Sequence, residues 1–149
     1  MVVAGLISPV FLGRTMDAVT AFLKSARTDI EAARALLQEG LFAPSVFHSQ
    51  QAAEKLAKAF LDRHGMDPVH THDVADLLRQ VEDDHGASEL RQVADELEKL
   101  QQHVLDTRYP LRDHHGHIIP PEQAYSERDA RSALRRTERV YNMLSEGFK

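Results

Sequence analysis

Cysteine is absent from the chain, which excludes disulfides, thiolate zinc sites and a cysteine nucleophile. A reducing cytoplasm is then the expected compartment. No run approaches the roughly 20 consecutive apolar residues needed to cross a bilayer, so no membrane association is expected. The sequence also lacks any convincing strand pattern, internal repeat or low-complexity tract. Its apolar start, Met1 to Gly13, has no leading positive charge and no clear small-residue cleavage site, and reads as an extension rather than a signal.

What is present fits a single folded domain. The chain has 149 residues, 42% of them hydrophobic and 28% charged, enough to bury a core and too apolar for disorder. The net charge of −5 argues against a general nucleic-acid coat. The charge is uneven, however. Up to Asp106 there are 10 Lys and Arg against 17 Asp and Glu, a balance of −7, whereas from Thr107 onward 8 stand against 6, a balance of +2. An anionic ligand belongs at that basic end.

Apolar residues recur at spacings of three and four through most of the chain, as they do on one face of a helix. Val19, Phe22, Leu23, Ala26, Ile30, Ala33 and Leu37 predict a first helix from about Met16 to Glu39, closed by Gly40. Val46, Ala53, Leu56, Ala57 and Phe60 predict a second, from about Ala43 to His64, with Pro44 in its first turn. Thr71 is the expected cap of a third helix, which buries Val74, Leu77, Leu78 and Val81 and ends at Gly86. A fourth follows from Ser88, with Leu90, Val93, Leu97, Leu100 and Val104 inward. Between Thr107 and Tyr125, Pro110, Gly116, Pro120 and Pro121 break the pattern and predict a long loop. A last helix starts at Ser126 and buries Ala130, Ala133, Leu134, Thr137, Val140, Tyr141 and Leu144. The expected fold is all-α, an antiparallel up-and-down bundle of four to five helices over residues 16–149, with 1–15 as an N-terminal extension.

Four short segments stand out from this pattern. They are Gln50-Gln51-Ala52-Ala53-Glu54-Lys55, Thr71-His72-Asp73, Arg108-Tyr109-Pro110 and Ala124-Tyr125-Ser126. In this order and spacing they resemble HEPN domains, and the resemblance runs from about Met16 to Gly147. It implies a helical bundle akin to the helical domain of kanamycin nucleotidyltransferase, frequent homodimers, and a partner in the form of a minimal nucleotidyltransferase, the two making a toxin and antitoxin pair. Active members of the family are metal-independent RNases that use an Arg followed, after four to six residues, by a His. Others lack the pair and act as non-catalytic nucleotide-binding or protein-interaction modules.

Arg108 and His114 have that spacing, and so do Arg112 and His117, but only Arg108 also matches the family position, so the resemblance implies Arg108 and His114 as the catalytic pair and Arg112, His117 and His72 as nucleotide or RNA contacts. The chemistry is coherent, because a histidine can move the proton of a ribose 2′-hydroxyl while an arginine fork holds the phosphate. No cofactor is required. The sequence departs from the active pattern in having Tyr109-Pro110 directly after Arg108, where a polar residue is usual, and Gly116 nearby. The competing reading has Arg108 paired with a helix carboxylate, as an anchor of the loop. His103, Asp113, His114, His115 and His117 lack the fixed helical placement of a strong metal site and read as exposed side chains or phosphate contacts. Gln50 and Glu54 flank the apolar face of the second helix, where they read as a structural network bonded to Arg108 or His72, or else as nucleotide contacts. Arg128, Arg131, Arg135 and Arg139 share one face of the last helix, either as a solvated surface or as a track for phosphates or an acidic partner.

Overall fold

A computed structural model describes residues 17–67, 73–85 and 88–148. The extension expected at 1–15, together with Thr71 and His72, lies outside these residues.

The first helix, α1, spans Ala18–Gln38 and is capped by Asp17, whose side chain accepts the Thr20 N–H at 2.7 Å. That bond holds the Asp17 carboxyl below the usual carboxylate range. The helix closes as its sequence suggests. Gly40 takes a φ of +76°, its N–H donates to the Leu37 carbonyl, and the Leu41 N–H reaches back to Leu36 at 2.9 Å. This paired closure satisfies carbonyls that a helix end otherwise leaves open. Only three residues separate α1 from α2, Phe42–Arg63, so the two run antiparallel as a hairpin.

α2 is the centre of the bundle. It packs along α1 on one side and the last long helix, Glu127–Leu144 (α6), on another, and touches Val74–His85 (α3) and Ser88–Gln101 (α4). Ala26 and Ala33 of α1 and Ala52, Ala53, Ala57 and Ala59 of α2 are buried, and their small side chains let the helices approach closely. Larger residues, Val46, Leu56, Phe60 and Leu61, fill the space towards the other helices. Two buried hydroxyls pin the elements together: Ser45 donates to the Ala33 carbonyl at 2.7 Å and Thr137 to the Ser49 carbonyl at 2.6 Å.

The second hairpin pairs α3, Val74–His85, with α4, Ser88–Gln101. Asp73 accepts the Asp76 N–H at 3.0 Å at the start of α3. Arg79 ties the pair on its outer side, reaching Glu98 at 2.6 Å and Asp95 at 3.0 Å. α4 ends at Gln101, earlier than the apolar period through Val104 predicts, and a series of turns carries the chain to Arg108.

The segment expected as a long ordered or semi-ordered loop contains a small hairpin. Leu111–Arg112 (β1) pairs antiparallel with Ile118–Ile119 (β2), with Leu111 opposite Ile119 and Arg112 opposite Ile118. Two-residue strands carry too few alternations to register as a period, which is why the sequence showed none. Gly116, with a φ of +83°, makes the turn. A short helix, α5, Pro121–Ala124, leads to α6, Glu127–Leu144. Ser126 caps α6 in a reciprocal box with Asp129. A 3₁₀ turn, Ser145–Phe148, completes the described chain. The architecture is the expected helical bundle with one small β-hairpin inserted before the last long helix.

Candidate functional site

Arg108 leaves the turns after α4 at a defined angle. Its Nε donates to the Val104 carbonyl at 3.1 Å, and its guanidinium carbon lies 5.3 Å from the centre of the Phe47 ring and 5.6 Å from that of Tyr109. A cation over an aromatic face is held by the ring quadrupole, so two contacts orient the group while its two terminal nitrogens make no hydrogen bond among the described residues. No carboxylate pairs with Arg108 among the described residues; the backbone and the rings hold it instead.

Beyond Arg108 the chain forms the hairpin, and its tip is Asp113-His114-His115-Gly116-His117. Asp113 organises it, with one carboxylate oxygen accepting the N–H groups of His115 and His117, both at 2.8 Å. The His117 backbone bond is the main cause of a lowered Asp113 pKa, with the His115 backbone bond and the His117 ring adding to it. The His117 ring lies 3.2 Å from the other oxygen. Arg112 donates to the Gly116 carbonyl at 2.9 Å. Arg112 and His117 thus each give one side-chain contact to the fold of the hairpin. His114 makes no hydrogen bond among the described residues, and its ring lies against that of His115, tilted by 45° with ring centres 4.1 Å apart. No hydrogen bond joins Arg108 and His114 to each other among the described residues.

Gln50 and Glu54 form a polar network, but along one helix rather than with Arg108. Gln51 donates to Gln50 at 2.7 Å, buried Gln50 donates to Glu54 at 3.0 Å, and Lys58 meets Glu54 at 2.9 Å. Phe47, Gln51, Glu54 and Lys58 follow at spacings of four, three and four, a half-buried face of α2 that leads away from Arg108. The expected His72 contact lies outside the described residues.

On α6 the arginine face is partly neutralised. Arg131 is bound by Glu127 at 2.6 Å and Arg139 approaches Glu96 at 3.4 Å, while Arg128 and Arg135 have no ion pair among the described residues. Sequence reasoning missed two groupings. One is the Asp29 carboxylate, buried between His48 at 2.8 Å and Lys55 at 2.6 Å. The helical period assigns Asp29 to no role, although its position beside Ile30 and four residues before Ala33 marked it as near the core. The other is Tyr125, whose hydroxyl lies 2.9 Å from His103 Nδ1 and whose pKa is pushed up to about 12, first by burial and then by Asp106 and Asp129.

A helical bundle with an arginine and a histidine-rich hairpin inserted before its last long helix defines the class: a helical-bundle domain with a small β-hairpin insert. Residues 19–147 match the family model of the HEPN domain, and the chain belongs to that family. It is 31% identical over 133 residues to a protein of Methanocaldococcus jannaschii described as "Putative toxin MJ1304", with 86% of each chain covered. Its fold resembles the crystal structure of ST0689, an archaeal HEPN homologue, with a TM-score of 0.67 and 28% identity over 90% of this chain and all of that one. It also resembles TT1696 from Thermus thermophilus, with a TM-score of 0.68 and 23% identity over 89% of this chain and 99% of that one.

Proposed function

We propose that the protein is a toxin-like HEPN protein that cleaves RNA without a metal, with Arg108 holding the scissile phosphate and His114 moving the proton, and that a minimal nucleotidyltransferase is its antitoxin partner. The observation that carries this reading is the state of Arg108: its Nε and its face are fixed, and neither terminal nitrogen is hydrogen-bonded among the described residues, which leaves both to grip a phosphate. A pre-oriented fork lets charge stabilisation act without reorganisation at the moment of reaction. The likeness to a protein named as a toxin supports the biological role.

A homodimer completes the site. Of the four large apolar side chains exposed among the described residues, three, Leu105, Tyr109 and Ile118, lie in the same segment as Arg108 and the histidines. Apolar exposure of that kind, next to a candidate site, suits a twofold contact that brings two Arg108 and two His114 to one cleft. Induced expression in a bacterial host tests the role. Growth should stop with the native chain, continue with Arg108→Ala, and be restored by co-expression of a minimal nucleotidyltransferase. Equal growth arrest by both chains would remove the reading. The second reading, a non-catalytic nucleotide or protein module, is favoured by the departure at Tyr109-Pro110.

A further inference from the structure

Asp29 and His48 form a dyad outside the pair that the family spacing picks out. The Asp29 carboxylate keeps 10% of its side-chain exposure, and its two oxygens meet His48 Nδ1 at 2.8 Å and Lys55 Nζ at 2.6 Å. A carboxylate held by an ammonium can only accept, so His48 Nδ1 carries a hydrogen and donates it. The imidazole is thereby fixed in orientation and in tautomer, the service a buried carboxylate gives to a histidine that moves protons. Nε2 is left as the working nitrogen. It makes no hydrogen bond among the described residues, and the His48 side chain keeps 32% of its exposure.

His48 also stands close to Arg108, through a shared neighbour. The Phe47 ring touches both, its centre 5.4 Å from that of the His48 ring and 5.3 Å from the Arg108 guanidinium carbon. The dyad is mounted on two packed helices, so its geometry does not depend on a loop.

The geometry points to His48 as the general acid of RNA cleavage, a catalytic residue held by Asp29 as its positioning residue. This rests on the cleavage reading at Arg108 and His114 and fills a role those two leave empty. Displacement at phosphorus keeps the attacking and leaving oxygens roughly in line, on opposite sides, so one histidine does not serve both in a single step. His114 takes the proton of the ribose 2′-hydroxyl, and that oxygen bonds to phosphorus. The bond from phosphorus to the 5′-oxygen breaks, and His48 gives its Nε2 proton to the departing oxygen. The products are a 2′,3′-cyclic phosphate and a free 5′-hydroxyl, with His114 left charged and His48 neutral, still donating from Nδ1 to Asp29. Proton exchange with water restores both rings.

Two substrates separate chemistry from scaffolding. One is a labelled oligoribonucleotide cut by the native chain, and the other carries sulfur in place of the 5′-oxygen at the cut bond, a leaving group that needs no proton. With the full chain, His48→Gln should slow the oxygen substrate about a hundredfold, the size of a general-acid contribution, yet cleave the sulfur substrate at close to the native rate. Asp29→Asn should show the same pattern with a smaller loss, and His114→Ala should be slow on both substrates. Glutamine keeps an N–H for Asp29, and thermal melts check the fold. Equal slowing of both substrates by His48→Gln would make His48 a clamp between α1 and α2, and native rates on both would leave it no part. Either result overturns the proposal while the cleavage reading stands. If the native chain cleaves no RNA, both fall.

Discussion

Lys55 of α2 places its ammonium 2.6 Å from the carboxylate of Asp29 on α1, and that carboxylate keeps only 10% of its side-chain exposure. The nearby pair of Lys58 and Glu54 lies on one helix, at 2.9 Å, with the acid 30% exposed. Burial of the acid separates the two. Removing a partner from a largely buried carboxylate leaves a charge poorly solvated, whereas a helix pair near solvent contributes only a few tenths of a kcal/mol. Lys55→Ala should destabilise the fold by about 1–3 kcal/mol, below the full cost of a buried pair because Lys55 is itself partly solvated. Lys58→Ala should cost less than about 1 kcal/mol. Urea unfolding of both variants makes the comparison, and equal losses would contradict the role given to Asp29.

The hairpin tip should respond to acid. Asp113 has a lowered pKa in the folded chain, so its stabilising bonds are present above the ordinary carboxylate value of 3.8 and are lost as pH falls through the lower, folded value. The His115 and His117 amide resonances should move together with a midpoint below 3.8. A midpoint above it would show that the two backbone bonds are not made.

Tyr125 should report at the other end of the scale. Its pKa is raised from 10.0 to about 12, so its contribution to stability is present below 10.0 and is lost as pH rises through about 12. The chain has three tyrosines, and phenolate absorbance should show a late step that Tyr125→Phe removes. If the late step survives that substitution, burial of Tyr125 against His103 is wrong.

How far the sequence could be read varies along the chain. The helices α1, α2 and α6 were legible because long apolar stripes and end signals agree: Gly40 closes α1 and Ser126 caps α6. The hairpin was not, since its strands have two residues each and no period can form. Arg108 and His114 were nameable from spacing and family position, whereas the bonds that Arg112 and His117 make within the hairpin depend on a turn that spacing does not encode. The Asp29 contacts join residues 19 and 26 positions apart, a relation that periodicity within one helix does not encode.

Assembly gives a further expectation. Light scattering over a wide concentration range should show twice the chain mass of 16.8 kDa, and replacing Leu105 and Tyr109 together with serine should shift the mass towards one chain. A constant mass near 16.8 kDa would count against the shared cleft.

The central claim is that Arg108 and His114 cleave RNA, and cleavage of a labelled RNA by the purified chain in the presence of a chelator tests it most directly. Arg108→Ala and His114→Ala should each lower the rate about a hundredfold or more, because each removes a role in charge stabilisation or proton transfer, with helical content unchanged by circular dichroism. Absence of chelator-resistant cleavage by the native chain, or cleavage by both variants at the native rate, would contradict it.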